Sequence, residues 1–192
     1  MEEPKFTTSS DIIRYENSTK LGPYERVKVL DTTIEDMVKR DDLFKMWRGQ
    51  MINNSLSVEE KLEYVIIRLL FRKELCGAEL FKNLILSKEF FGFMNKLKVF
   101  KDLLRNIDKF KEKDYTELFG SIQFIIEERN RFAHGRVTYS GLNGEKVFLE
   151  FSRGKIVKEE ITEETMDKFK QKCLFCYKEL DKLYDETNLY AD

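Results

Sequence analysis

The sequence predicts a mainly α-helical bundle of about five helices, with a small β-meander inserted before the last helix. Apolar residues recur every three or four positions over most of residues 31–134 and again over 162–189, the spacing of helices that bury one face. From about residue 136 to 160, apolar and polar residues alternate around two turn signals, which is typical of strands. We therefore expect a helical domain over residues 31–192, with the β-meander at about 136–160, and an N-terminal arm over residues 1–30.

The composition is that of a folded, soluble protein. Hydrophobic residues make up 42% of the 192 residues and charged residues 36%, so one domain with a sizeable core is expected. Lys and Arg number 34 against 35 Asp and Glu. Because the net charge is near zero, a polyanion would have to meet a local patch rather than the field of the whole molecule. Apolar runs are too short for a membrane span, and we expect a cytoplasmic protein with no membrane partner.

The first two helices are predicted to be separate. Residues 31–54 form the first helix, behind acidic residues that suit a helix start. Ser57 and Glu60 stand in the capping-box arrangement, which predicts a second start and a helix running to about residue 86, bent near Gly77. The apolar face of the first helix is predicted from Ile34, Met37, Val38, Leu43, Met46 and Trp47.

Three further helices complete the predicted bundle. The third covers residues 87–110 with Ser87 as its cap and Met94 among its apolar residues, and lysines in the stretch 95–113 are interpreted as a solvated face. The fourth begins at Asp114 and ends at Gly135, for which we expect the left-handed conformation common at helix C-termini. The last helix follows the meander.

The sequence predicts neither a metal site nor a cofactor. Cys173 and Cys176 form a single C-x-x-C with no histidine nearby, so we interpret them as small apolar residues on a buried helix face. The odd number of cysteines suits a reducing compartment better than a disulfide framework. H-E-x-x-H, phosphate-loop and dinucleotide-binding motifs are all absent from the sequence.

The end of the fourth helix, "EERNRFAHGR", holds the candidate site and the only histidine, His134. Its apolar stripe reaches Arg129 and Asn130, and His134 lies on the same side as Asn130. Charged last turns often serve only to bind unpaired carbonyls and to favour the negative end of the helix dipole. A guanidinium and an amide that interrupt the apolar stripe favour a functional site instead. Glu127 and Arg131 are interpreted as a surface pair, with the preceding stripe formed by Tyr115, Leu118, Ile122, Ile125 and Ile126.

"RNRFAHG" resembles the motif of HEPN domains (higher eukaryotes and prokaryotes nucleotide-binding), in which an Arg, four to six further residues and a His close a long helix of an all-α bundle. Arg129 and His134 match the Arg and the His, and Asn130 matches the polar residue that often follows the Arg. The resemblance extends loosely over residues 31–185. It implies a metal-independent endoribonuclease, often a toxin or an anti-phage effector, with two motifs meeting across a symmetric dimer.

The residues suit that chemistry. Cleavage of RNA by its own 2′-hydroxyl needs a base, an acid and a cation for the charge that develops on the phosphate. His134 suits the base or the acid, Arg129 suits the cation, and Asn130 suits a supporting role. A single histidine does not easily fill both roles, so a homodimer that doubles it is expected. RNA and either an antitoxin or another partner protein are the further partners that the resemblance implies. The alternative is a non-catalytic HEPN-like module for dimerisation or for binding a nucleotide or a protein.

Overall fold

The computed structural model describes residues 11–13, 26–28, 31–71, 75–88, 91–111, 113–140, 146–152 and 155–188. Its helices are α1 (Asp31–Phe71), α2 (Leu75–Phe81), α3 (Phe93–Asn106), α4 (Asp108–Lys111), α5 (Thr116–His134) and α6 (Glu163–Asn188), with one π-helical segment at Lys82–Leu86. Its strands are β1 (Asp11–Ile13), β2 (Arg26–Lys28), β3 (Arg136–Ser140), β4 (Lys146–Ser152) and β5 (Ile156–Glu160). A mainly helical chain with a small sheet before the last helix is the fold class that the sequence predicted, although the helix count differs.

Three long helices form the centre of the bundle. Helices α1, α5 and α6 all pack against one another, and α3 lies against α1 and α5. Each presents a continuous apolar face, so their side chains meet in one shared core. The largest completely buried side chains come from these four helices, from the π-helical segment and from β4: Phe100, Phe132, Phe169, Met51, Leu62, Ile66, Leu86, Leu97, Leu104, Ile122, Ile125 and Leu149.

The predicted break between the first two helices is wrong, because α1 runs through it without interruption for 41 residues. Ser57 does not cap a helix: its hydroxyl donates to the carbonyl of Asn53, 3.1 Å away, inside α1. Ser55 likewise donates to the carbonyl of Ile52 at 2.7 Å. A buried serine that bonds the preceding turn can remain within a helix. The buried face continues across the expected break through Met51 and Val58.

The apolar face predicted for the start of this helix is also partly wrong. Val38, Leu43 and Met46 are exposed, with 55%, 38% and 49% of their surface accessible. Trp47 is buried as predicted, and Phe44, which was not among the predicted residues, is buried as well; both continue the face of Met51. Several overlapping sets of apolar residues at helical spacing exist in this stretch, and packing against α5 and α6 selects one of them. The side chains of Ile34 and Met37 lie outside the described residues.

The third helix begins later than predicted. Gly92 stands at the N-terminal boundary of α3, whereas Ser87 follows the π-helical segment and its backbone N–H donates to the carbonyl of Lys82. Met94, assigned to the apolar face, is 37% exposed. Lys96, assigned to the solvated face, is only 5% exposed. One of the lysines of α3 is therefore a buried charge and not part of a solvated face.

The meander is a three-stranded antiparallel sheet in the order β3-β4-β5. Arg136 pairs with Glu150 and Ser140 with Lys146 across the first two strands, and Ser152 pairs with Ile156 across the second two. Strand β4 is therefore central, and its Leu149 is fully buried against the end of α5. In the N-terminal region β1 and β2 pair antiparallel, and the rest of the predicted arm over residues 1–30 lies outside the described residues.

Gly135 ends α5, as predicted, but the conformation expected for it is wrong. Its φ of −73° and ψ of 147° are extended backbone that any residue adopts. Space is the actual constraint: an added Cβ would lie 2.5 Å from the carbonyl oxygen of Arg131 and 2.6 Å from Cδ1 of Leu149. Glycine is therefore required here by the close approach of β4 to the last turn of α5.

Gly135→Ala is expected to lower the free energy of unfolding by about 3 kcal/mol, because the overpacked methyl group meets a backbone carbonyl that cannot move alone. Gly120→Ala is the matched control within α5, since nothing lies within 4 Å of its Cβ position. That change should raise the free energy of unfolding by roughly 0.5–1 kcal/mol through helix propensity. Urea denaturation of both variants measures the difference. Equal stabilities would contradict the packing argument.

The two described cysteines occupy the buried face of α6, where they were predicted. Cys173 and Cys176 are free thiols, and burial raises the pKa of each to about 12. Within the described ranges, no group of three or more histidine, cysteine or acidic residues is placed to hold a metal ion. In the same part of the chain, none of the helices combines the length and the apolar character needed to cross a membrane.

Candidate active site

Helix α5 carries the three predicted site residues in its last two turns. Its core face runs through Leu118, Ile122, Ile125 and Ile126, as predicted, and ends at Phe132, whose ring stacks 5.7 Å from that of Phe44. The last buried positions are thus Glu128 and Phe132, not Arg129 and Asn130. The expected interruption of the stripe is displaced: the charged residue on the buried face of α5 is Glu128.

Arg129 lies at the edge of the core, between protein and solvent. Its side chain is 30% exposed, and Nη1 lies 3.6 Å from Oε2 of Glu59 on α1. Glu59 also binds Lys96 of α3. The guanidinium is therefore oriented towards α1 by a buried carboxylate while it keeps an accessible surface.

Asn130 and His134 lie together on the exposed side, one helical turn apart, as the spacing predicted. Both line a surface depression of about 400 Å³, which we call the His134 groove. Its walls come from α5 and from the end of β4. The lining residues are Glu127, Asn130, Arg131, His134, Phe151 and Ser152. Arg129 is not one of them, so a single chain brings two of the three predicted residues into one groove.

Arg131 forms the wall between helix and sheet, and its assignment to the surface is wrong. Its side chain is only 12% exposed; Nη1 lies 2.5 Å from Glu128 Oε1, and Nη2 pairs with Glu159 of β5. The guanidinium also stacks over the ring of Phe151, 4.5 Å from its centroid. Glu127 instead accepts a hydrogen bond from Gln123 at 3.1 Å. Arg131 thus connects α5 with β4 and β5 and forms one wall of the groove beside His134.

A second arginine, not anticipated from the sequence, fixes the end of the site. Arg48 of α1 donates from Nη2 to the carbonyl oxygen of Gly135 at 2.9 Å, and its guanidinium lies 5.2 Å from the centroid of the Phe44 ring. This carbonyl directly follows His134. A cation at the C-terminal end of a helix is favoured by the helix dipole and by the unpaired carbonyls there. The backbone that carries His134 is therefore held from α1.

The buried ion cluster behind Arg129 was also missed. It consists of Glu59 and Glu63 on α1 and Lys96 on α3, each less than 10% exposed. The sequence contains a signal for it, because Lys96 lies between Phe93 and Leu97 on a helix whose apolar face includes both. A charge at such a position needs a partner of opposite charge. The sequence does not say which of the many acidic residues provides it.

Comparisons of this chain with protein families, with curated proteins and with solved structures found no match. The residues and their geometry are therefore the basis for assigning a function. The relevant facts are a half-buried arginine held by an acidic residue, an exposed histidine at a helix end, and a groove beside that histidine.

Proposed function

We propose that this protein is an HEPN-like, metal-independent endoribonuclease that cleaves RNA through Arg129 and His134 at the cleft of a homodimer. The observation that carries the proposal is the exposed position of the His134 side chain on a fixed backbone. The side chain stands exposed at the end of α5, beside a groove of about 400 Å³ that also contains Asn130. The backbone behind it is held by Arg48. An accessible imidazole on a fixed backbone is what proton transfer to a bound substrate requires.

The proposed reaction is an internal transesterification. One His134 imidazole accepts the proton of the ribose 2′-hydroxyl as the 2′-oxygen attacks the neighbouring phosphorus. The bond between phosphorus and the 5′-oxygen breaks, and a protonated His134 from a second copy donates its proton to the leaving 5′-oxygen. The products are a 2′,3′-cyclic phosphate and a 5′-hydroxyl. The Arg129 guanidinium is the cation that stabilises the charge on the phosphate oxygens.

A dimer is part of this proposal because each chain contains one histidine. The base and the acid stand on opposite sides of the phosphorus, so one imidazole does not serve both. A two-fold axis near the end of α5 would place two His134 and two Arg129 side chains in one cleft. In a cell, such an enzyme fits a cytoplasmic toxin or anti-phage effector that an antitoxin protein restrains.

The purified chain should cleave single-stranded RNA in the presence of EDTA and leave 2′,3′-cyclic phosphate and 5′-hydroxyl ends. Cleavage per chain should rise with protein concentration as sedimentation shows the dimer forming. Gel analysis of end-labelled RNA before and after treatment with polynucleotide kinase identifies the ends. Loss of cleavage in EDTA, 3′-hydroxyl ends, or no cleavage by a verified dimer over a range of pH would overturn the proposal.

Two observations favour the alternative, a non-catalytic HEPN-like module that dimerises or binds a nucleotide or a protein. Arg129 already has a carboxylate partner in Glu59, which gives it a structural reason to be present. The acidic Glu127 in the groove is also unfavourable for a polyanion. A dimer that binds RNA or nucleotide without cleaving it would support this second function.

A further inference from the structure

The ion cluster behind the site is built around one lysine. Lys96 Nζ lies 2.5 Å from Oε1 of Glu59 and 2.5 Å from Oε1 of Glu63, and all three side chains are nearly inaccessible. Burial opposes the charge of Lys96, but the hydrogen bonds to both carboxylates outweigh it and raise the pKa of this lysine. Lys96 therefore stays protonated and holds both carboxylates in place.

Glu59 uses its two oxygens differently. Oε1 accepts from Lys96, whereas Oε2 faces Arg129 Nη1 at 3.6 Å. Glu63 lies one helical turn further along α1 and has the same contact to Lys96. In the described part of the chain, its ion pair is with Lys96 and does not extend to Arg129. Glu59 is thus the one carboxylate of the cluster that connects the core to the candidate site.

We infer that Glu59, itself fixed by Lys96, is a positioning residue that orients the Arg129 guanidinium for the phosphate. This inference rests on the proposed ribonuclease function. An arginine side chain has many rotamers, and fixing it only as the phosphate enters the transition state would add the cost of its lost conformational entropy to the barrier. A buried, immobile carboxylate restricts those rotamers beforehand. The guanidinium keeps 30% of its side-chain surface accessible, so it can still meet an anion.

The charge balance of the cluster supports this role. Glu59 and Glu63 contribute two negative charges, and Lys96 and Arg129 contribute two positive ones. Because Lys96 already neutralises much of the charge of Glu59, Arg129 is held at 3.6 Å without a short bidentate pair. A guanidinium held in this way retains donors for phosphate oxygens.

The two glutamates provide a matched comparison. Glu59→Gln and Glu63→Gln each remove one buried negative charge from the same helix, next to the same lysine, and should destabilise the fold to a similar extent. Only Glu59→Gln removes the partner of Arg129. We expect cleavage at saturating RNA to fall by about 10- to 100-fold more in Glu59→Gln than in Glu63→Gln. The KM should change little, because the guanidinium remains present.

A second measurement does not depend on activity. The ¹⁵N relaxation of the Arg129 Nε–H group reports its order on the fast timescale. We expect that order to fall in Glu59→Gln and to stay at the wild-type value in Glu63→Gln. Glu59→Asp serves as a further variant if Glu59→Gln does not fold, since it keeps the negative charge of the cluster but sets the carboxylate back from Arg129 by one methylene group.

The two proposals fail in different ways. If the order of the Arg129 group is the same in all the folded variants, Glu59 does not position it, whatever the cleavage rates are. A loss of order in Glu59→Gln alone, in a protein that does not cleave RNA, would confirm the positioning and overturn the ribonuclease function. Equal loss of cleavage in Glu59→Gln and Glu63→Gln would assign the whole cluster to stability and overturn the inference.

Discussion

His134→Ala is expected to reduce RNA cleavage at neutral pH by about 100- to 10,000-fold, the range for removal of a general acid or base. In the proposed dimer the change removes both imidazoles from one cleft, so the upper part of that range applies. RNA binding should change much less, because Arg129 and Asn130 remain in place. Single-turnover cleavage and filter binding of the same labelled RNA measure the two effects separately.

The stability of this variant is its internal control. His134 is exposed, so the free energy of unfolding should change by no more than about 0.5 kcal/mol. Gln123→Ala provides a matched control for activity, since Gln123 is exposed on the same helix and does not line the His134 groove. It should cleave as the wild type does. If His134→Ala cleaved as fast as Gln123→Ala, His134 would have no catalytic part, and the proposed mechanism would be overturned.

The fold class could be predicted because periodicity changes so clearly along the chain. The alternation in residues 136–160 gave the sheet, and the glycine after His134 gave the end of α5. Most of the apolar face of α6 was also predictable, since Met166, Phe169, Cys176 and Leu180 are buried as their spacing predicts, whereas Tyr177, expected on the same face, is 43% exposed. Apolar residues that repeat at helical spacing over several turns identify the buried face of a helix before any tertiary contact is known.

Helix boundaries are harder to predict from sequence patterns, as the region around Ser57 shows. A capping box is a local signal with a small free energy, on the order of 1 kcal/mol. Continuing α1 instead buries Met51, Val58 and Leu62 on one face against two neighbouring helices. Each such side chain contributes roughly 1.5–3 kcal/mol when fully buried, so tertiary packing outweighs the cap.

The site itself was predicted in part. Spacing alone placed Asn130 and His134 on one side of α5, and the groove contains both. Arg131 could not be assigned in the same way, because its partner Glu159 lies 28 residues further along the chain in β5. The partners of Arg129 and of Gly135 are equally remote. Contacts between distant segments carry no local pattern, and a sequence without tertiary information does not reveal them.

Lys96→Met is expected to lower the free energy of unfolding by about 3–5 kcal/mol, the usual cost of removing one partner from a buried ion pair. Methionine fills a similar volume, so the loss is electrostatic rather than a cavity effect. Glu59 and Glu63 would remain less than 10% exposed, one helical turn apart, with their shared cation gone. Arg129 lies 3.6 Å from Glu59 and would compensate only that carboxylate. Chemical denaturation at neutral pH measures the change.

Lys98→Met is the matched control, because Lys98 is exposed on the same helix two residues away and its replacement should alter stability by no more than about 0.5 kcal/mol. Removing Glu59 and Glu63 as well, as Glu59→Leu and Glu63→Leu in the Lys96→Met background, should restore much of the lost stability, since no buried carboxylate is then left without a cation. The Arg129 partner is also lost in that triple variant. A stable protein with impaired cleavage would therefore separate the two roles of the cluster, whereas a triple variant as unstable as Lys96→Met would show that buried charge is not the cause.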